Sequence, residues 1–148
     1  MSYVTDIRKK IGHDALILVG SNVLIVDENN RFLLQKRKNG SWGLLGGLLE
    51  MGETLEETAI REVYEESKLE IDDLQLINVF SGPKYHFTLD NKDEIYVITS
   101  LYYAKTVSGN MKIDNEESFD LQYFTFNELP NDLEEEYRDY INYYINHK

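Results

Sequence analysis

The sequence predicts a single α/β domain over residues 1–148, a mixed β-sheet covered on two faces by helices. Three observations predict it. Several apolar segments have strand length, carry Ile, Val, Thr and Tyr, and are separated by turn residues. Two other segments, one opening at Thr54 and one following Leu133, read as helices. Finally, 148 residues with 42% hydrophobic and 12% aromatic side chains show no repeat, linker or low-complexity stretch, which fits one domain with a real core.

The elements follow in order. Ala15–Val26 reads as a strand, Asp27-Glu28-Asn29-Asn30 as a turn, and Phe32–Gln35 as its hairpin partner. Asn39-Gly40-Ser41 is a loop, and the short segment Trp42–Leu45 leads into Gly46-Gly47. Thr54-Leu55-Glu56-Glu57 has capping-box spacing, so a helix starts at Thr54 and ends near Ser67 or Lys68. Leu74–Phe80 is a strand, Ser81-Gly82-Pro83 breaks it, and Tyr85–Leu89 resumes the pattern. Asp90–Asp93 is a turn, Glu94–Val107 a long strand, Ser108-Gly109-Asn110 a turn, and Leu121–Phe126 a further strand. Leu133, Tyr137, Tyr140, Ile141, Tyr144 and Ile145 lie at helical spacing and predict a C-terminal amphipathic helix.

Composition excludes several functions. Without cysteine there are no disulfides or thiolate metal sites. The first 14 residues lack an apolar signal region, and Gly20, Ser21 and Asn22 interrupt the longest apolar run, which is too short to span a membrane. The expectation is a soluble cytoplasmic protein with no membrane partner. Fifteen basic against 27 acidic side chains give a net charge of −12 and disfavour a nucleic acid polymer as partner. A phosphate-bearing substrate would be repelled unless a cation intervened.

Against that charge, the segment Gly46–Leu69 gathers seven glutamates and one arginine. Glu62, Glu65 and Glu66 stand at i, i+3 and i+4 and share one helix face, where like charges repel. Without further pattern this would be an ordinary solvated face. A hard divalent cation would offset the repulsion and bridge the protein to an anionic substrate. Gly46 and Gly47 before the helix allow close backbone approach to a ligand. Clustered carboxylates also raise the pKa of at least one member, which suits a general base.

Gly47, five residues, Glu53, seven residues, then Arg61-Glu62-Val63-Tyr64-Glu65-Glu66 and Leu69 closely resembles the Nudix box. Leu33-Leu34-Gln35-Lys36-Arg37 and Trp42-Gly43-Leu44 before it also look like the family. The resemblance implies the Nudix fold, an α/β/α sandwich with a mixed sheet. It implies hydrolysis of a diphosphate joining a nucleotide to another moiety, with Mg²⁺ or Mn²⁺. By position, Glu62, Glu65, Glu66 and the Gly46 carbonyl would hold metal, with Glu62 alternatively the base or its orienter. Glu53 and Arg61 would tie loop to helix. A further ligand glutamate often follows the box; Glu117 is expected to supply it, with Glu116 close behind. Arg37, Tyr85 and Glu116 are candidate substrate contacts, although a solvated strand end, packing and a polar turn are the blander readings.

Two positions depart from the family. Lys68 replaces the glycine that ends the box helix in a left-handed conformation, and Leu45 stands where many members have proline. Neither removes a ligand. The substrate class leans to a nucleoside diphosphate derivative resembling ADP-ribose. The alternatives are a nucleoside triphosphate, with pyrophosphate released, or a Nudix-fold module that senses a nucleotide without cleaving it. The resemblance leaves a homodimer open.

Overall fold

Alternate residues of the central strands, buried on both faces, pack into two opposite layers. The computed structural model describes residues 2–113, 116 and 118–148. Its elements are α1 (Tyr3–Ile11), β1 (Leu16–Leu24), β2 (Arg31–Lys36), β3 (Trp42–Gly43), β4 (Leu45–Leu48), α2 (Leu55–Ser67), β5 (Glu70–Phe80), β6 (His86–Thr88), β7 (Glu94–Ser108), β8 (Asp120–Thr125) and α3 (Glu135–His147). A five-stranded sheet runs β4-β1-β7-β5, with β6 also paired to β7. The β1–β7 pair is parallel and the others are antiparallel, so the sheet is mixed. A second, antiparallel sheet runs β3-β2-β8.

Neighbouring residues on one strand face opposite layers. Val23, Leu33 and Tyr102 pack with Ala59 and Val63 of α2. Leu24, Phe32, Leu34 and Leu101 pack with Tyr140 and Ile141 of α3. The helices therefore cover opposite sides of the strands, and the layering is the expected α/β/α sandwich.

Three readings need correction. β1 and β2 are not a hairpin within one sheet. The chain does turn back antiparallel between them, through the Val26–Phe32 bridge and the bonds from the Leu33 N–H to the Ile25 carbonyl at 2.9 Å and from the Asp27 N–H to the Arg31 carbonyl at 3.0 Å, but the strands belong to different sheets. Each finds a longer ladder elsewhere, β1 along the whole of Leu16–Leu24 with β7 and β2 along Arg31–Lys36 with β8. Strands apolar on both faces do not announce their partners. β5 begins at Glu70, before the expected Leu74. The helix α1 was not expected at all. Tyr3, Val4, Ile7 and Ile11 stand at helical spacing, but the helix lies on the surface and none of its residues is fully buried. Ser2 caps it, and Arg8 fastens it to the Gly12, Asp14 and Glu94 carbonyls at 2.6–2.9 Å. Among the described residues no helix is long and apolar enough to cross a membrane.

Candidate active site

The site begins where the sequence starts its acidic helix. Thr54 Oγ1 accepts from the Glu57 N–H at 3.0 Å, and Glu57 Oε1 accepts from the Thr54 N–H at 2.8 Å. This reciprocal capping box fixes the first turn of α2. The other end closes on Lys68, which takes the left-handed conformation with φ 64°. Its N–H still donates to the Tyr64 carbonyl at 2.8 Å, and its ammonium lies 5.0 Å from the Tyr64 ring centroid. The helix thus ends as the family's glycine would end it, with the strain of a Cβ at that φ.

Arg61 gathers the carboxylates. Its Nε and Nη2 donate to the two oxygens of Glu53 at 2.6 and 2.9 Å. Nη1 donates to Glu62 at 2.8 Å and reaches Glu65 at 3.5 Å, while Nη2 also donates to the Leu48 carbonyl at 3.1 Å. Glu53 additionally accepts from the Glu50 N–H and the Thr58 hydroxyl, each at 3.0 Å. The Arg61 hydrogen bonds hold the Glu53 carboxyl down at about 2, against an ordinary 4.5. The same partner raises the guanidinium pKa. One fork-shaped cation thereby ties the loop after β4 to α2.

The two glycines admit different neighbours, the β1 backbone at Gly46 and a carboxylate at Gly47. Glu66 is only 6% exposed, and its Oε1 accepts from the Gly46 N–H at 2.9 Å. Gly46 adopts φ 144°, and a Cβ there would strike the Ser21 carbonyl and lie 2.7 Å from Asn22 Nδ2. A Cβ on Gly47 would lie 2.6 Å from both Glu62 carboxylate oxygens. Glu65 is the most open of the three, with its side chain 47% exposed. Among the described residues, no three carboxylates or histidines converge as a ready metal cluster. Glu62 and Glu65 turn to Arg61 and Glu66 to Gly46. The donor chemistry nevertheless fits a hard divalent cation: carboxylate oxygens beside a glycine face that leaves room around them.

A cavity of about 870 Å³ opens from this loop. Gly46, Gly47 and Glu66 line it, as do Glu134, Glu136 and Tyr137 of the α3 region. Phe87, Leu89, Ile95 and Val97 contribute an apolar wall. Arg37 also lines it, 5.2 Å from the Tyr137 ring centroid, with Nη1 3.8 Å from Glu134. Burial works against the Arg37 charge, but Tyr137, Glu134 and Glu66 outweigh it and raise the guanidinium pKa. Burial pushes the Glu136 carboxyl up to about 7, reinforced by its hydrogen bond and charge repulsion with Glu134.

Of the residues singled out from sequence, Glu53, Arg61, Glu62, Glu65, Glu66 and Gly46 come together, and Arg37 joins them at the cavity. Tyr85 does not. It is 7% exposed and packs with Phe80 and Tyr140 in the α3-side core, because the segment after Gly82 turns its ring inward. Glu116 is exposed and is not among the cavity's described lining residues. Glu117 lies outside the described residues. Its neighbour Ser118 accepts from Gln35 at 2.6 Å and donates to the Glu66 carbonyl at 3.2 Å, which anchors this segment to the end of α2. Sequence reasoning missed Asn22, Glu134 and Glu136 as cavity residues. The run Glu134-Glu135-Glu136 ahead of the apolar stripe was the available signal.

The chain is similar to proteins of one family. The family model described as NUDIX domain matches residues 17–144. An ADP-ribose pyrophosphatase of Methanocaldococcus jannaschii is 32% identical over 124 residues, 79% of this chain and 69% of that protein. A putative 8-oxo-dGTP diphosphatase of Bacillus subtilis is 30% identical over 75% of this chain and 68% of its own length. The NAD-capped RNA hydrolase NudC of Pectobacterium carotovorum is 28% identical over 75% of this chain, which spans only 36% of it. The crystal structure of a MutT NUDIX hydrolase from Burkholderia pseudomallei superposes with a TM-score of 0.73, at 26% identity, covering 86% of this chain and 97% of that one. With the family model spanning both sheets and both covering helices, and the box residues assembled around Arg61, the chain belongs to the NUDIX family and is a Nudix hydrolase.

Proposed function

We propose that the protein hydrolyses the diphosphate of a nucleoside diphosphate derivative such as ADP-ribose, with Mg²⁺ or Mn²⁺ held by Glu62, Glu65, Glu66 and the Gly46 carbonyl, and Glu117 as a further ligand. The observation that carries this reading is the buried Glu66 carboxylate, fixed by the Gly46 N–H and lining a cavity of about 870 Å³. Such a metal neutralises phosphoryl oxygens and makes water a better nucleophile. The chain's own residues do the rest. Arg61 and Glu53 fix the loop against the helix, so the carboxylates and the Gly46 backbone keep one geometry. Arg37 is the cation lining the cavity and attracts phosphate in an otherwise acidic protein. A box carboxylate takes the proton of the attacking water; a new P–O bond forms and the anhydride P–O bond breaks. From ADP-ribose the products are AMP and ribose 5-phosphate.

The similarity to the Methanocaldococcus jannaschii ADP-ribose pyrophosphatase supports this substrate class. The Bacillus subtilis relative supports a second reading, a nucleoside triphosphate cleaved to a monophosphate and pyrophosphate. Chromatography of products from ADP-ribose, nucleoside diphosphate sugars, dinucleotides and nucleoside triphosphates, with Mg²⁺ and with EDTA, tests both. Mg²⁺-dependent AMP from ADP-ribose is the expected result. Pyrophosphate release from triphosphates alone would select the second reading. Binding without any cleavage would contradict both.

A further inference from the structure

The cavity lining carries two chemistries. Beside Gly46 and Gly47 the proposed metal ligands suit phosphate. At the start of α3, Glu134 and Glu136 line the same cavity and are hydrogen-bonded to each other. Glu134 is held in place, accepting from the Ser41 hydroxyl at 3.0 Å and lying 3.8 Å from Arg37 Nη1. Its backbone N–H donates to the Trp42 carbonyl at 3.1 Å, which pins the start of α3 to β3. A second phosphate placed against two carboxylates would be repelled. An uncharged group with neighbouring donors would be welcomed, because each carboxylate oxygen accepts and the adjacent O–H groups of a diol can meet both. The apolar wall of Phe87, Leu89, Ile95 and Val97 offers a separate surface for the flat face of a base.

Resting on the hydrolase reading of this same cavity, we propose that Glu134 and Glu136 are specificity-determining residues that bind the vicinal hydroxyls of a substrate sugar and orient the diphosphate towards Gly46, Gly47 and Glu66. Burial and the neighbouring Glu134 raise the Glu136 carboxyl to about 7, so it is partly protonated near neutrality and can donate as well as accept. The hydroxyls could come from the ribose of the nucleotide or from the sugar beyond the diphosphate, and the substrates distinguish these sources.

The test measures kcat and KM for Glu136→Gln and Glu134→Gln with three probes: ADP-ribose, its analogue lacking the 2′-hydroxyl of the adenosine ribose, and ADP methyl ester, which has no distal sugar. Thermal melting confirms that each variant folds, and either variant suffices if the other does not. For ADP-ribose, KM rises about tenfold, the size expected for losing a charge-assisted hydrogen bond, while kcat changes less than about threefold. One of the two truncated probes escapes the rise, and which one it is names the sugar. A charge effect alone would have the opposite sign, since removing a carboxylate tightens every phosphate-bearing probe. Equal changes for all three probes, or no change, overturn the proposal. If no probe is hydrolysed, calorimetric affinities in EDTA decide it. Selective weakening of ADP-ribose then keeps the sugar site while the hydrolase reading falls, and no selective weakening removes both.

Discussion

Replacing Glu53 by Gln isolates the clamp between loop and helix. The amide oxygen of the variant can still accept from the Glu50 N–H, but the charge that faces Arg61 is gone. A carboxyl held at about 2 rather than 4.5 by Arg61 corresponds to at most about 3 kcal/mol of native-state preference for the ionised form. The pair is partly exposed, with side chains 19% and 30% accessible, so solvent screening reduces this to about 1–2 kcal/mol. The sign follows from proton binding. Below 4.5 the unfolded carboxyl is protonated while the folded one stays ionised, so the unfolded state binds more protons. The stabilisation is full above about 4.5 and is lost as pH falls towards about 2. Urea denaturation of both proteins from pH 7 to pH 2.5 reads the difference directly. The variant should be about 1–2 kcal/mol less stable at pH 7, and the gap should narrow through the acid range. Equal stability at pH 7, or a gap unchanged down to pH 2.5, would refute the clamp.

Other outcomes follow from the same geometry. Lys68→Gly should stabilise the protein by about 0.5–1 kcal/mol, raising Tm by about 2–4 °C, because it relieves a left-handed Cβ; a lower Tm would show that the contact with Tyr64 outweighs the strain. Gly46→Ala should cost about 2 kcal/mol or more in chemical denaturation, since both its φ of 144° and the Ser21 backbone oppose a Cβ. Gly47→Ala meets a side-chain carboxylate instead of backbone, so it should cost less than about 1 kcal/mol in stability yet reduce turnover about tenfold or more by displacing Glu62.

Much of this arrangement is written locally. Thr54 and Glu57 start α2 where their spacing says, and Glu62, Glu65 and Glu66 share a face because a helix turns about 100° per residue. Gly46 and Gly47 mark a close approach, which the structure shows to be the Ser21 backbone at Gly46 and the Glu62 carboxylate at Gly47. What stayed hidden depends on partners far apart in the chain. The residues 16–24 and 31–36 are apolar on both faces, and no local pattern says that the first joins 95–103 and the second 120–125. Tyr85 and Tyr137 read alike as aromatic residues, yet one is sealed by Phe80 and the other borders the cavity beside Arg37. Nothing local marks Glu134 as a cavity residue, because the Arg37 and Ser41 that meet it come from a segment far away in the chain.

The central claim is that the box carboxylates hold the metal that the reaction requires. Its most direct test is the rate of ADP-ribose cleavage across a Mg²⁺ titration, for the wild type and for Glu66→Gln. The wild type should be silent in EDTA and saturate with Mg²⁺, and the variant should be slower by about 100-fold or more at every concentration. A Glu66→Gln protein with full Mg²⁺-dependent activity would contradict the assignment of the site.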